Sequence, residues 1–297
     1  MNIEELGKVI GNTPIQKLGE TNIFVKLENF NPAGSIKDRT AYFMIKGAIE
    51  RGELKEGGIV VEPTSGNTGI GIAYICQKLG YKSIIVMPDG VTRERIDMIS
   101  SFGAEVLLSK KEDGMKGAIA LAEEIKAKNN GSVILGQFDN EDNVLAHEKT
   151  TAVEIDRYFK GNVDIIIAGV GTGGTISGLG RFFKKQSKNK IVVGVEPKES
   201  PMITKGYSAN HTIYGIGANF VPSILDRNAI DFFQTVSSEE ALEGVKELYN
   251  LYGLKLGVSS GASYFVAKKF SIVYPNKKIV FIAPDGEDRY KSLNLYD

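Results

Sequence analysis

Residues 59–80 read IVVEPTSGNTGIGIAYICQKLG. A β-branched run from Ile59 stops at Pro63, a short polar turn follows from Thr64 to Gly69, and an apolar stretch of helical length begins at Ile70. Strand, tight turn and helix in this order form the unit from which parallel sheets with right-handed crossovers are built.

The same alternation extends in both directions. Candidate strands are IFVKLE from Ile23, SIIVMP from Ser83, AEVLLS from Ala104, SVILG from Ser132, DIIIAGV from Asp164, KIVVGVEP from Lys190 and KIVFIAPD from Lys278. Several are almost wholly apolar, as expected of strands covered on both faces. Helical segments lie between them. In MKGAIALAEEIKAKN, for example, Met115, Ala118, Leu121, Ala122 and Ile125 share one stripe. The fold class is therefore α/β, and no repeat or low-complexity segment interrupts it. The polar stretch FDNEDN, ending at Asn143, is the candidate crossing between two lobes.

A chain of 297 residues suggests about two domains. Lys plus Arg equals Asp plus Glu at 36 each, so bulk positive charge for nucleic acid is lacking. The aromatic residues are scattered rather than set out as a stacking platform. The single cysteine, Cys76, lies in an apolar helical run and is expected to be buried and inert, in keeping with a reducing compartment. MNIEELGKVI carries neither the basic region nor the apolar stretch of a signal peptide, and no apolar run approaches the about 20 residues needed to span a bilayer. A cytoplasmic protein without membrane contact is expected. His147 and His211 do not form a metal pair at any defensible spacing, so no metal is expected.

Ligands of open α/β sheets bind beyond the carboxyl ends of strands, which directs attention to three loops. In TSGNTG, Gly66 and Gly69 allow a tight turn, while Thr64, Ser65, Asn67 and Thr68 supply polar groups. Backbone N–H groups at such a helix entrance favour an anion, although Ser, Thr and Asn are also ordinary N-caps. GTGGTISG, from Gly171 to Gly178, is a second glycine-rich entrance, with hydroxyls at Thr172 and Thr175. It suits a phosphate. It departs from the dinucleotide spacing, though Glu196, about 20 residues further on, keeps a dinucleotide reading open. GVSSGAS, from Gly257, offers neutral donors at Ser259 and Ser260, or simply a helix cap.

In NPAGSIKDR, residues 31–39, Lys37 stands at a helix entrance, where the dipole disfavours its ammonium form. An uncharged lysine amine is a nucleophile that forms Schiff bases with aldehydes. A surface salt bridge is the plainer role for such a lysine. Together with two anion-ready loops, Lys37 points to pyridoxal phosphate.

These residues resemble the fold-type II pyridoxal-phosphate enzymes, specifically the cysteine synthase and cystathionine β-synthase family. The resemblance runs through IGNTPIQKL, NPAGSIKDR, TSGNTG, GQFDN, GVGTGGTISG, VGVEP, GIGANFVP, GVSSGA and PDGEDRY, over nearly the whole chain. It implies a two-lobed, tryptophan synthase β-like fold, each lobe a mainly parallel twisted sheet covered by helices. Residues 41–144 would be the smaller mobile lobe, and residues 1–40 with 145–297 the larger, phosphate-binding one. It implies that Lys37 carries the cofactor and later serves as base and acid at the substrate Cα. Asn67 would meet the ring hydroxyl, Gly171, Thr172, Gly173, Gly174 and Thr175 the phosphate, and Ser259 the pyridine nitrogen. Thr64, Ser65, Gly66, Asn67, Thr68 and Gln137 would bind the amino-acid substrate, with Gly215, Gly217 and Asn219 lining its approach. A serine at the pyridine nitrogen makes the ring a weak electron sink, which favours loss of a β substituent over transamination.

The resemblance also implies β-replacement on a small amino acid through an aminoacrylate, with a thiol or sulfide nucleophile, in a homodimer. Cysteine synthase, joining O-acetylserine and sulfide, is the leading expectation. The alternative consumes cysteine or serine, releases hydrogen sulfide or water, and forms a thioether (lanthionine or cystathionine) or serine. A silent homologue that binds the cofactor without catalysis is the remaining possibility, against which Lys37, Asn67 and Ser259 argue. Departures from the family pattern cluster around the substrate. GIGAN replaces GIGAG at Asn219, Tyr214 replaces glutamine, PDGVT replaces PETMS, and NEDNV, TTAVEI and PDGED replace their usual counterparts. Asp226 and Arg227 lean toward the cystathionine β-synthase pattern. With PDGEDRY close to the last residue given, the C-terminal regulatory module of some relatives is not expected.

Overall fold

The computed structural model describes residues 1–293 and 295–296. In chain order the elements are α1 (Ile3–Gly7), β1 (Ile15–Lys17), β2 (Ile23–Leu27), α2 (Lys37–Glu50), β3 (Ile59–Pro63), α3 (Asn67–Leu79), β4 (Lys82–Pro88), α4 (Arg93–Ser101), β5 (Glu105–Ser109), α5 (Gly114–Lys128) and β6 (Ser132–Ile134). They continue as α6 (Glu141–Ala146), α7 (Ala152–Phe159), β7 (Ile165–Gly169), α8 (Gly174–Gln186), β8 (Ile191–Pro197), α9 (Met202–Lys205), β9 (Phe232–Val236), α10 (Ser238–Tyr252), α11 (Val258–Val273) and β10 (Ile279–Ala283). Every run expected as a strand forms one, with small shifts at its ends. β1 and β9 escape the apolar pattern because both are edge strands. β1 is short and carries Gln16 and Lys17, and Phe232 of β9 is 45% exposed.

Among the described residues the strands form two sheets, ordered β1-β2-β10-β7-β8-β9 and β5-β4-β3-β6. All neighbours pair parallel except β1 with β2. The chain falls into two compact units, residues 1–10 with 37–143 and residues 11–36 with 144–297. This differs from the expected division into 41–144 and the remainder. The first ten residues join the smaller unit because α1 packs within it: Glu4 pairs with Lys46 at 2.7 Å and Gly7 lies against the Tyr42 ring. That unit also begins at Lys37, the first residue of α2.

In the larger unit, alternate residues of the central strands serve two cores. Ile165 and Ile167 pack with residues of α10 and α11 on one face, and Ile166 and Ala168 pack with residues of α7 and α8 on the other. Two buried faces are why these strands read as continuous apolar runs. In the smaller unit, Ala118 and Ala122 of α5 meet Val61 and Val86, with Leu121 and Ile125 beside them. Met115, at the start of the same stripe, is 39% exposed.

Candidate active site

Each sheet has a point where the strand order reverses. In the smaller unit β3 runs on to β4 and β5 on one side and has β6 on the other. The loops that follow β3 and β6 therefore leave neighbouring parallel strands at the same end, the usual ligand position in such sheets. Those loops carry TSGNTG and GQFDN. Thr68 accordingly donates its hydroxyl to Gln137 Oε1 at 2.6 Å, although the two lie 69 residues apart in sequence.

Gln137 is held from several sides. Asn143 Nδ2 donates to its carbonyl at 2.8 Å, and Thr40 of α2 donates to Asn143 Oδ1 at 3.0 Å. Glu62, the only charged residue of β3, is 1% exposed and accepts the backbone N–H groups of Leu135, Gly136 and Gln137 at 3.0, 3.1 and 3.3 Å. Burial pushes the Glu62 carboxyl up to about 7, against three amide bonds that favour the ionised form.

Helix α3 begins at Asn67, after Gly66 at the cap, and is buried continuously from Thr68 to Cys76. Thr64 is buried beside it, and Ser65, Gly66 and Asn67 are partly exposed. Arg95 of α4, absent from the sequence expectations, donates to the Ser65 carbonyl at 3.0 Å. Helix α2 turns Ala41, Met44, Ile45 and Ala48 inward at helical spacing. It lies so close to α3 that a Cβ on Gly71 would sit 2.9 Å from the carbonyl oxygen of Lys37. That approach needs glycine. It brings Lys37, half-buried at the first position of α2, to the start of α3, so the expected residues of this unit share one end of it.

The segment that leads into Lys37 is pinned in the larger unit. Asn31 donates to Glu28 Oε2 at 2.7 Å and accepts Gly11 N–H at 2.9 Å, and Ile36 N–H donates to the Pro284 carbonyl at 2.8 Å. In that unit β7 is flanked by β8 and β10, so its following loop occupies a second reversal point. This loop is Gly171–Thr175, and it opens α8. A side chain on Gly171 would strike the carbonyl oxygen of Gly215, and Gly173 has φ +86° with Leu225 against it. Gly217 N–H donates to the Val170 carbonyl at 2.9 Å. Gly171–Thr175 and Gly215–Gly217 are thus one assembly, with Asn219 exposed just beyond. Ser259 is 2% exposed in the first turn of α11.

His147 is fully buried in a π-helical turn, His147–Thr151, and contacts the Thr151 hydroxyl at 3.0 Å and the Thr175 hydroxyl at 3.2 Å. It is a core histidine fixed to the glycine-rich loop, a link that its place in a helical run did not reveal. Glu196 is buried and accepts N–H from Ile203 at 2.9 Å and from Thr204 at 3.1 Å. It is committed to the fold, which removes the dinucleotide reading. Asp226 bonds Arg181 Nε at 2.9 Å and Arg227 donates to the Ile203 carbonyl at 2.5 Å. Both serve loop packing, so they say little about substrate.

Residues 6–285 match the family model of the pyridoxal-phosphate-dependent enzymes. Cysteine synthase B of Campylobacter jejuni is 45% identical over 296 residues, 99% of this chain and 98% of the relative. The chain belongs to the cysteine synthase family of pyridoxal-phosphate-dependent enzymes. Among solved structures, O-acetyl serine sulfhydrylase isoform 3 from Entamoeba histolytica is similar with a TM-score of 0.93 and 39% identity, covering 99% of this chain and 91% of that one. A hydrogen sulfide-producing enzyme from Fusobacterium nucleatum is similar at a TM-score of 0.91 and 36% identity, covering 96% and 97%.

The family's cofactor fits the residues present. Side chains at Gly171 and Gly173 would fill the backbone cradle that a phosphate at the α8 entrance needs. A half-buried lysine at a helix N-terminus suits an aldehyde. Among the described residues, no group of three or more His, Cys, Asp or Glu side chains is placed to hold a metal ion, and no helix is long and apolar enough to cross a membrane. Cys76 is fully buried, which pushes its thiol up to about 12.

Proposed function

We propose that this enzyme is a cysteine synthase that converts O-acetylserine and sulfide to cysteine and acetate. The observation that carries the reading is the clustering, in one unit, of Lys37, the TSGNTG turn and Gln137 through the Gly71 contact and the Thr68–Gln137 bond. The full-length likeness to cysteine synthase B supports it.

The residue roles follow from their chemistry. Thr64, Ser65, Gly66, Asn67 and Thr68 present hydroxyl, amide and backbone donors to the substrate carboxylate. Gln137 adds its Nε2 donors, because Thr68 already occupies its oxygen. Bound pyridoxal phosphate supplies a conjugated ring that accepts the electron pair left at Cα. Gly171, Thr172, Gly173, Gly174 and Thr175 hold the phosphate, Asn67 the ring hydroxyl, and Ser259 offers the ring nitrogen a neutral hydroxyl. Lys37 takes the proton from the substrate Cα and returns it after acetate has left Cβ and sulfide has added there. Its place at the α2 N-terminus favours the neutral amine that this exchange requires. Gly215, Gly217 and Asn219 border the side from which the nucleophile arrives. A cytoplasmic homodimer completes the reading. A single cysteine with no disulfide partner suits a reducing compartment, and light scattering of the purified protein reads the assembly.

Borohydride trapping followed by peptide mapping tests the cofactor link, with label expected on Lys37. Mass spectrometry of products tests the reaction. Cysteine from O-acetylserine and sulfide supports the reading, and no cysteine refutes it. A second reading is favoured by exposed Asn219 and by the likeness to a hydrogen sulfide-producing enzyme. In it cysteine or serine is the first substrate, and a thioether or serine is formed. Sulfide release from cysteine alone, faster than cysteine synthesis, would move the assignment there.

A further inference from the structure

We propose that Glu62 is a positioning residue for Gln137: its buried carboxylate clamps the loop that presents the Gln137 amide to the substrate carboxylate. The proposal rests on the role of Gln137 given above.

β6 ends at Ile134, and the chain then leaves the sheet. Leu135, Gly136 and Gln137 thus have no strand partner for their N–H groups, and all three converge on one side chain. Both carboxylate oxygens are used: Oε2 accepts from Leu135 and Gly136, and Oε1 from Gln137. Gly136 has φ +68°, which folds the loop back over the end of β3. Asn140 closes the turn by donating to the Leu135 carbonyl at 2.8 Å.

The loop reaches Gln137 as the end point of that clamp. Its side-chain oxygen is taken by Thr68, and its backbone carbonyl by Asn143, so little freedom remains except in the direction of Nε2. An ionised carboxylate with three amide donors is a strong and directional anchor. A protonated one offers fewer acceptor sites and a competing donor. Burial of Glu62 is opposed only by the three amides. No charged side chain of the neighbouring β4, β6, α3 or α5 among the described residues contributes to its ionisation. Loop order therefore follows the charge on this one group.

The test uses the holoenzyme and has two readouts. Amide hydrogen exchange reads the clamp itself. In Glu62→Gln, which presents one acceptor oxygen and an N–H2 group to three donors, exchange at Leu135, Gly136 and Gln137 is expected to rise about tenfold or more over wild type, with other β3 and β6 amides unchanged. Glu62→Asp keeps the charge on a shorter arm and restores part of the protection. Wild type alone gives a third arm, free of any folding defect: protection at these three amides, corrected for intrinsic exchange, falls as pH drops through about 7. Steady-state kinetics reads the consequence. KM for the amino-acid substrate rises about tenfold in Glu62→Gln with kcat little changed, and Gln137→Ala absorbs that rise so that the double variant is no worse. Unchanged exchange at 135–137, or fully additive KM effects, overturns the proposal. A wild type that makes no cysteine refutes the cysteine synthase assignment instead, and the exchange measurement then decides the clamp on its own.

Discussion

Glu62 and Glu196 stand at equivalent places in two different strands, each one residue before a proline at the end of an apolar run. Both are buried, and both carboxylates end on backbone amides, which is how a protein keeps a buried acid at tolerable cost. A lone acid in IVVEP or IVVGVEP is visible in the sequence. What it fastens is not, because the partners of Glu62 lie 73 to 75 residues away. Lys37 shows the opposite case, since its role is suggested by the turn immediately before it. Lys37→Ala is expected to keep the fold and lose about a thousandfold or more in turnover of O-acetylserine, measured by product formation alongside a thermal melt. Near-normal turnover would contradict its role as base. Gly173→Ala forces a Cβ into φ +86° against Leu225, at a cost of about 1–2 kcal/mol. A fluorescence titration of the cofactor-free variant should show affinity for pyridoxal phosphate about tenfold weaker, and an unchanged curve would remove this loop from the phosphate site.

Helices α2 and α3 are placed by one missing side chain. Gly71 lets α3 press on the Lys37 carbonyl, and that contact aligns the two helix entrances. Gly71→Val should separate them, lowering stability by about 1–3 kcal/mol in urea unfolding and reducing kcat/KM as well. Full stability in that variant would show that the helices have slack. The helices and interior strands were legible because their hydrophobic periods are local properties of the chain. β1 and β9 were not, since an edge strand with one exposed side needs no continuous apolar run. The π-helical turn at His147 also left no periodic trace. It is stabilised by what it packs on, with Gly178 of α8 against the Val144 carbonyl and His147.

For the molecule as a whole, Glu62 links stability to pH. Its carboxyl stands at about 7 in the folded protein against an ordinary 4.5, so between those values the native state holds a proton that the unfolded chain releases. The stabilisation is fully present below about 4.5 and lost as pH rises through about 7, amounting to about 3 kcal/mol. Urea unfolding of wild type and Glu62→Gln from pH 5 to 8 should therefore give curves that diverge by about this much. Parallel curves would mean that the group does not titrate as assigned. Hydrophobic period and turn chemistry act over a few neighbouring residues, so the α/β class, the strand-ending loops and the residue types in them are written in the chain directly. That β6 lies beside β3 and β10 beside β7, and hence which loops meet, emerges first in the folded molecule. Strand order is settled by packing of whole sheets and helices, and no short stretch of chain carries it.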